Sequence, residues 1–320
     1  MQHDGGPPRD SAGFLKQDGG TIPGFPDAAP AFSLMRAAAS CVPVLIAVPH
    51  GGRCYPAELL GRMRHPEAAA LRLEDRLVDR LGEAVARSTG ASLLVAHAPR
   101  AMIDLNRAET DVDWDMLGMA TPPEYRQPLP NARARSGLGL VPRRVPATGE
   151  IWRGRMSREE LAARIEGVHR PYHRALQDAL SAMRARWGAA LLIDLHSMPS
   201  LPRQDGLPAA QLVLGDRFGA SCHGALVAGA FAHVAARGWM AAHNRPYAGG
   251  FVLDTHGRPR DGVHAIQIEV DRAAYLDADL CETGDGFFAM ASLLSGLVRR
   301  LAGDVARMGG QSGGYREAAE

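Results

Sequence analysis

Two stretches of this chain are apolar almost without a break. Val42-Pro43-Val44-Leu45-Ile46-Ala47-Val48 runs into Pro49-His50-Gly51-Gly52, and Ala190-Leu191-Leu192-Ile193 continues as Asp194-Leu195-His196-Ser197. A strand with one wet face alternates apolar and polar residues; a strand apolar at nearly every position must be covered on both faces. A mostly parallel sheet in an α/β layer fold meets that requirement. Further strands are expected at 92–98, 211–214 and 263–270, with helical patterns over 71–87, 157–187, 219–237 and 283–303 between and after them. In the first helix Leu73, Leu77, Leu81 and Val85 form one stripe. The second opens on the capping box Ser157-Arg158-Glu159-Glu160, and Pro171 is expected to kink it.

Composition narrows the class of function. The chain has 320 residues, 46% apolar and 22% charged, with a net charge of +1, so no global field favours nucleic acid or an anionic membrane. No aromatic stacking motif accompanies the arginines, which also speaks against nucleic acid. Cys41, Cys54, Cys222 and Cys281 form no CxxC pair, so neither a thiolate zinc knuckle nor a disulfide framework is indicated. With no span-length apolar stretch and no signal-peptide pattern, the expectation is a soluble, reduced, cytoplasmic protein. Residues 1–30 read as a disordered arm, 308–320 as a flexible tail, and 31–307 as one domain. Within it, 108–156 is rich in proline and arginine and reads as a loop-rich insertion or cover. The oligomeric state is not legible in the sequence.

The two buried strands each deliver a histidine to a loop at a strand C-terminus, where open α/β sheets bind their ligands. His50 and His196 therefore supply half of a zinc site. The third ligand is expected to be an acid, and Asp75 is favoured over its neighbour Glu74. Acids in a first helical turn also arise simply to complement the helix dipole. His50 alone could be a turn residue and His196 a strand end. Asp194, on the same strand face as His196, is a candidate to orient an imidazole or to cap a helix. Glu269 closes the apolar strand Ile266-Gln267-Ile268-Glu269-Val270 and is the candidate general base, or else the partner of Arg272 in a salt bridge. Asn106-Arg107 reads as a carboxylate clamp with Arg100 as a second cation, although an arginine in so arginine-rich a chain is usually a surface residue. In Asn244-Arg245-Pro246-Tyr247-Ala248-Gly249-Gly250-Phe251 the glycines, Gly250 among them, would let backbone approach a ligand, or simply make a turn.

Taken together, Val48 to Gly52, Leu73-Glu74-Asp75, Asp104 to Arg107, Asp194 to Pro199, Leu214-Gly215-Asp216, the 244–251 loop and Ile266 to Arg272 with Tyr275 resemble the N-formylglutamate amidohydrolase family. The resemblance implies a three-layer α/β sandwich with a mixed eight-stranded sheet, phosphorylase/hydrolase-like in the manner of the zinc carboxypeptidases. It implies hydrolysis of N-formyl-L-glutamate to formate and glutamate in histidine degradation, with one Zn2+ held by His50, His196 and an acid near Asp75, either Asp75 itself or Glu74. Glu269 would be the base. Asn106 and Arg107, with Arg100 or Arg272, would hold an acidic N-acyl amino acid. The residues leave two alternatives: a deacylase or carboxypeptidase for another N-acyl amino acid, and a metal-free protein that binds an acidic metabolite.

Overall fold

A computed structural model of the chain describes residues 13–37, 42–120, 137–145, 149–203 and 209–317, with side chains through 310. Its centre is one eight-stranded sheet. In chain order the strands are β1 (Phe14–Gly19), β2 (Phe32–Ala37), β3 (Val44–Val48), β4 (Ser92–Ala96), β7 (Ala190–Met198), β8 (Leu212–Gly215), β9 (Ala241–His243) and β10 (Val263–Asp271). They lie in the order β1-β2-β4-β3-β7-β10-β8-β9. The four central strands, β4, β3, β7 and β10, are parallel, while β1, β2 and β8 pair antiparallel to their inner neighbours. β3, β7 and β10 are buried at every position, as the apolar runs of β3 and β7 require; β10, which alternates less cleanly, is a central strand all the same.

Helices cover both faces. On one face lie α1 (Ala57–Arg62), α2 (Pro66–Leu73), α4 (Arg158–Arg164), α5 (Arg170–Trp187) and α7 (Phe251–His256). On the other lie α3 (Val78–Thr89), α6 (Gly224–Ala236) and α8 (Phe287–Glu317). Even-numbered residues of β7 (Ala190, Leu192) face the first layer and odd-numbered ones (Leu191, Ile193, Leu195) the second, so Asp194 and His196 emerge on the first.

The helix expected over 71–87 is two helices. The chain leaves α2 at Leu73, passes through Glu74 to Leu77, and re-enters helix at Val78 with Leu77 left-handed at φ 54°. The apolar stripe is real but divided: Leu73 packs in the core on one face of the sheet, and Leu77, Leu81 and Val85 in the core on the other. A continuous helix could not serve both. The break is where the chain crosses the C-terminal edge of the sheet, and Asp75 lies at that crossing rather than in a first helical turn.

The helix expected over 157–187 is present, capped by Ser157 accepting from the Glu160 amide (3.1 Å). It relaxes into a π-turn over Ile165–His169 before Pro171. Proline cannot donate to the carbonyl four residues back. That carbonyl, of Gly167, instead accepts from the amide of Thr21 (2.7 Å). The expected kink is thus a helix widening.

Two expectations about flexible chain need correction. The N-terminal arm folds from Phe14, whose strand pairs with β2, and Ile22 is buried in the core. An edge strand draws its hydrogen bonds from a neighbour and needs only one apolar face, so composition alone misread it. The tail expected at 308–320 is helical through Glu317 as the end of α8. The described part of 108–156 is mostly irregular, yet packed: Leu140, Val141, Ile151, Trp152 and Met156 are buried, beside a short ribbon of β5 (Arg144–Val145) and β6 (Gly149–Glu150). Residues 1–12 of the arm, Cys41, Pro122, Pro123, Pro128, Pro130 and Pro146 lie outside the described residues. Among the described residues no helix is long and apolar enough to cross a membrane.

Candidate active site

The C-terminal ends of β4, β3, β7 and β10 open into a cavity of about 250 Å³. Parallel register brings Glu269 of β10 beside His196 of β7. His50 follows β3 in the tight turn Pro49-His50-Gly51-Gly52. At Gly52 a Cβ would lie 2.1 Å from the Ala98 carbonyl oxygen, so only glycine lets this turn press against the segment after β4. The sheet-edge crossing carries Asp75 to the same place, its amide donating to the His50 carbonyl (3.0 Å).

His50, Asp75 and His196 converge there, each offering a ligand atom, with those atoms within 4.8 Å of one another. His196 Nδ1 is 2.9 Å and His50 Nδ1 3.6 Å from the same oxygen, Asp75 Oδ2. The outer nitrogens are committed elsewhere. His50 Nε2–H donates to Asp104 Oδ1 (2.7 Å) and His196 Nε2–H to Asp194 Oδ2 (2.9 Å). This fixes both imidazoles with Nδ1 facing the centre, the arrangement in which carboxylates orient metal-binding histidines. His50 Nδ1 is buried and has no hydrogen-bond partner, a costly state for a protein-only site and the expected one for a ligand nitrogen. A His-Asp-His set of nitrogen and oxygen donors suits a borderline divalent ion. The residues therefore fit a metal.

Glu74, the alternative third ligand, turns away: it accepts from Tyr55 Oη (2.8 Å) and pairs with Arg76 (3.0 Å). Arg272 does not pair with Glu269. It donates to Ser197 Oγ (3.2 Å) and reaches Asp75 Oδ1 (3.4 Å), tying the crossing segment to β7. Glu269 instead accepts from Gln267 Nε2 (2.9 Å), and Gln267 accepts from Asn106 Nδ2 (3.4 Å).

Burial pushes the Glu269 carboxyl up to about 8, with Asp75 and Asp194 adding to it against His196 and Arg100. Burial would also raise Asp75, but the hydrogen bond from His196 and the neighbouring His50 imidazole outweigh it and hold that carboxyl well below the usual range. Asp104 is likewise held low against burial, by Arg100, His50 and Arg107. Two carboxylates are thus ionised beside the histidines and one is easily protonated, a division typical of sites that move protons.

Asn106 and Arg107 line the same cavity. The Asn106 amide donates to Asp104 Oδ1 (2.8 Å), one bond removed from His50. Asn106 Oδ1 accepts from Val252 N (3.0 Å), at the start of α7, and a Cβ on Gly250 would come within 2.6 Å of that oxygen. Gly250 is thus where the 244–251 loop meets the clamp. Arg107 donates to the carbonyls of Leu138 (3.1 Å) and Asn106 (2.7 Å). Arg100 lines the cavity as well, but its guanidinium pairs with Asp104 (2.9 Å).

Behind the clamp stands a histidine cluster the sequence reading did not single out. His169 Nε2–H donates to the Arg107 carbonyl (2.8 Å) and His173 Nε2–H to the Leu105 carbonyl (3.0 Å). His173 Nδ1 then accepts from His256 Nε2 (3.0 Å). Burial lowers all three, His256 to about 4, so they are neutral donors at neutral pH. The spacing of His169 and His173, four apart across the π-turn, was the available signal. Asp104 and Gln267 were also missed as partners. Each sits beside a residue that was found, but only strand adjacency reveals which side chain it meets.

With this geometry in view, the comparisons with known proteins are decisive. The family model for N-formylglutamate amidohydrolase matches residues 42–276. The chain belongs to the N-formylglutamate amidohydrolase family. It is 34% identical over 239 residues to an N-formylglutamate deformylase of Pseudomonas aeruginosa, covering 74% of this chain and 83% of that one. It is 32% identical to the N-formylglutamate deformylase of Pseudomonas putida, covering 74% of this chain and 82% of the relative. The crystal structure of N-formylglutamate amidohydrolase from Ralstonia eutropha JMP134 superposes with a TM-score of 0.77 at 34% identity, over 87% of this chain and 99% of that one. The family match spans all four central strands and every residue of the site described above.

Proposed function

We propose that this chain is a zinc-dependent hydrolase that cleaves the formamide of N-formyl-L-glutamate, giving formate and L-glutamate, the glutamate-yielding step of histidine breakdown. The observation that carries the metal is the pair of imidazoles aimed at Asp75 Oδ2, each locked from behind by a carboxylate, with His50 Nδ1 buried and unpaired. Family membership and the two deformylase relatives support the substrate.

The bound ion would supply Lewis acidity toward the formyl carbonyl and would acidify water beside it. Glu269 is the base. It takes a proton from the attacking water as the C–O bond forms, and returns it to the amide nitrogen as the C–N bond breaks and the amine departs. Burial raises its pKa and makes it a stronger base once it is ionised. A cation at the His-Asp-His set would draw that pKa downward and leave the group ionised for the first step. Gln267 fixes Glu269 Oε1 and leaves Oε2 for the water. Asn106 and Arg107 hold a substrate carboxylate, Gly250 lets the 244–251 loop pack closely on Asn106, and Asp194 and Asp104 keep the imidazoles in register. Arg272 holds Asp75 in place, and Arg100 balances Asp104.

The test is direct. Purified protein should carry about one zinc per chain. Formate release from N-formyl-L-glutamate should stop on chelation and return with Zn2+. Full turnover in chelator would overturn the metal. A preference for N-acetylglutamate or dipeptides over the formyl substrate would overturn the substrate in favour of a deacylase or carboxypeptidase. Binding without turnover in zinc-loaded protein would favour the metabolite-binding alternative.

A further inference from the structure

Four arginines border the cavity: Arg72, Arg100, Arg107 and Arg272. Three answer to the protein. Arg100 is neutralised by Asp104 at 2.9 Å. Arg272 is engaged with Asp75, Ser197 and the Glu74 carbonyl. Arg107 is buried in the inner wall, held by two backbone carbonyls. Arg72 differs. It is exposed, at the last turn of α2, and makes no hydrogen bond or ion pair among the described residues.

Its base is nonetheless fixed. Arg272 donates to the carbonyl of Leu71 on one side (3.2 Å) and of Glu74 on the other (2.5 Å). Arg72 therefore rises from a pinned stretch of backbone three residues before Asp75, at a set place on the cavity rim. Leu73, Leu138 and Val145 supply apolar wall in the same cavity.

An N-formylglutamate molecule brings two carboxylates, and they differ in reach. The α-carboxylate sits on the carbon that bears the amide nitrogen. The side-chain carboxylate lies further out by the length of the methylenes. Asn106 is tied through Asp104 to His50, so the Asn106–Arg107 clamp is the inner one. It suits the α-carboxylate. The outer carboxylate then needs a cation at the rim that no protein acid has already claimed, with apolar wall for the methylenes between.

We propose that Arg72 is the specificity-determining residue that receives the side-chain carboxylate of the substrate, while Asn106 and Arg107 receive the α-carboxylate. This rests on the reading of the chain as an N-formylglutamate hydrolase and adds which cation selects the acidic side chain. The interaction is one charge-assisted hydrogen-bonded pair, formed by an arginine that no carboxylate among the described residues pairs with.

The experiment compares N-formyl-L-glutamate with N-formyl-L-glutamine, which differ only at the outer group, in zinc-loaded wild type, R72M and R72K. Wild type should prefer the glutamate substrate. R72M keeps the aliphatic stem but lacks the charge. It should lose about 10- to 100-fold in kcat/KM on N-formylglutamate, through KM, while turnover of N-formylglutamine and zinc content stay as in wild type. R72K should recover part of the preference. An R72M enzyme that still prefers glutamate to glutamine, or that loses equally on both, overturns the assignment of Arg72 and leaves the deformylase reading standing. Wild type that fails to hydrolyse N-formylglutamate overturns the parent reading and this one with it.

Discussion

Glu269 shows at the scale of one residue how a functional group sets itself against stability. It is buried at the end of β10, between Asp75 and Asp194, with a single hydrogen bond from Gln267. In the metal-free protein its folded pKa is about 8, against an unfolded value near 4.5. Between those values the folded state binds the extra proton, so stability falls as pH rises through that window. Glu269→Gln removes the titration and keeps the shape. Its kcat should drop by about 10²- to 10⁴-fold with zinc content intact. The metal-free variant should also melt higher than metal-free wild type at pH 8, the difference vanishing toward pH 5. Calorimetry at the two pH values, alongside formate assays, checks both. A variant of equal melting temperature at pH 8 would show that Glu269 is not held protonated by burial.

At the scale of elements, the site depends on two interrupted helices. The break between α2 and α3 lets one sequence segment cross the sheet edge and deliver Asp75. From the end of the π-turn and the start of α5, His169 and His173 donate to the backbone of 105–107. Neither interruption was legible from periodicity. The stripe Leu73, Leu77, Leu81, Val85 fits a single helix, because periodicity records that a residue is buried and not which side of the sheet buries it. The histidines behind the clamp can be checked for their part in positioning it. His173→Leu deletes the donor to the Leu105 carbonyl, leaving a buried acceptor unpaired at a cost of about 1–3 kcal/mol. The clamp turn should loosen, raising KM for N-formylglutamate roughly tenfold with kcat little changed. His173→Gln places an amide donor near the former Nε2 and should restore KM. Equal KM values for the two variants would deny the histidine its role in positioning Asn106 and Arg107.

At the scale of the whole molecule, the parallel centre of the sheet is what gathers the site. His50, His196, Glu269 and the 104–107 turn all lie at the same end of four adjacent strands whose flanking cores are continuous on both faces. Binding there joins β3, β7 and the sheet-edge crossing, segments far apart in the chain. A ligand selective for the folded state stabilises it by mass action, by about 2.7 kcal/mol at a free concentration a hundred times Kd. Zinc added to metal-free protein at that ratio should therefore raise the melting temperature by about 4 °C. His50→Ala should abolish the increment. An unchanged shift in that variant would place the ion elsewhere.

The sequence alone determined which residues had to be deep inside and which chemistry they carried. Nearly unbroken apolar runs force two-sided burial, so β3 and β7 with the histidines at their ends could be read from side-chain type and order, and Glu269 from its place at the end of a less regular strand. Tertiary structure decided who meets whom. That Asp104 holds His50, that Gln267 holds Glu269, that Arg272 serves Asp75 rather than Glu269, and that Phe14 begins a strand all depend on strand order and register. Those are set by packing between distant segments, and a linear pattern does not carry them.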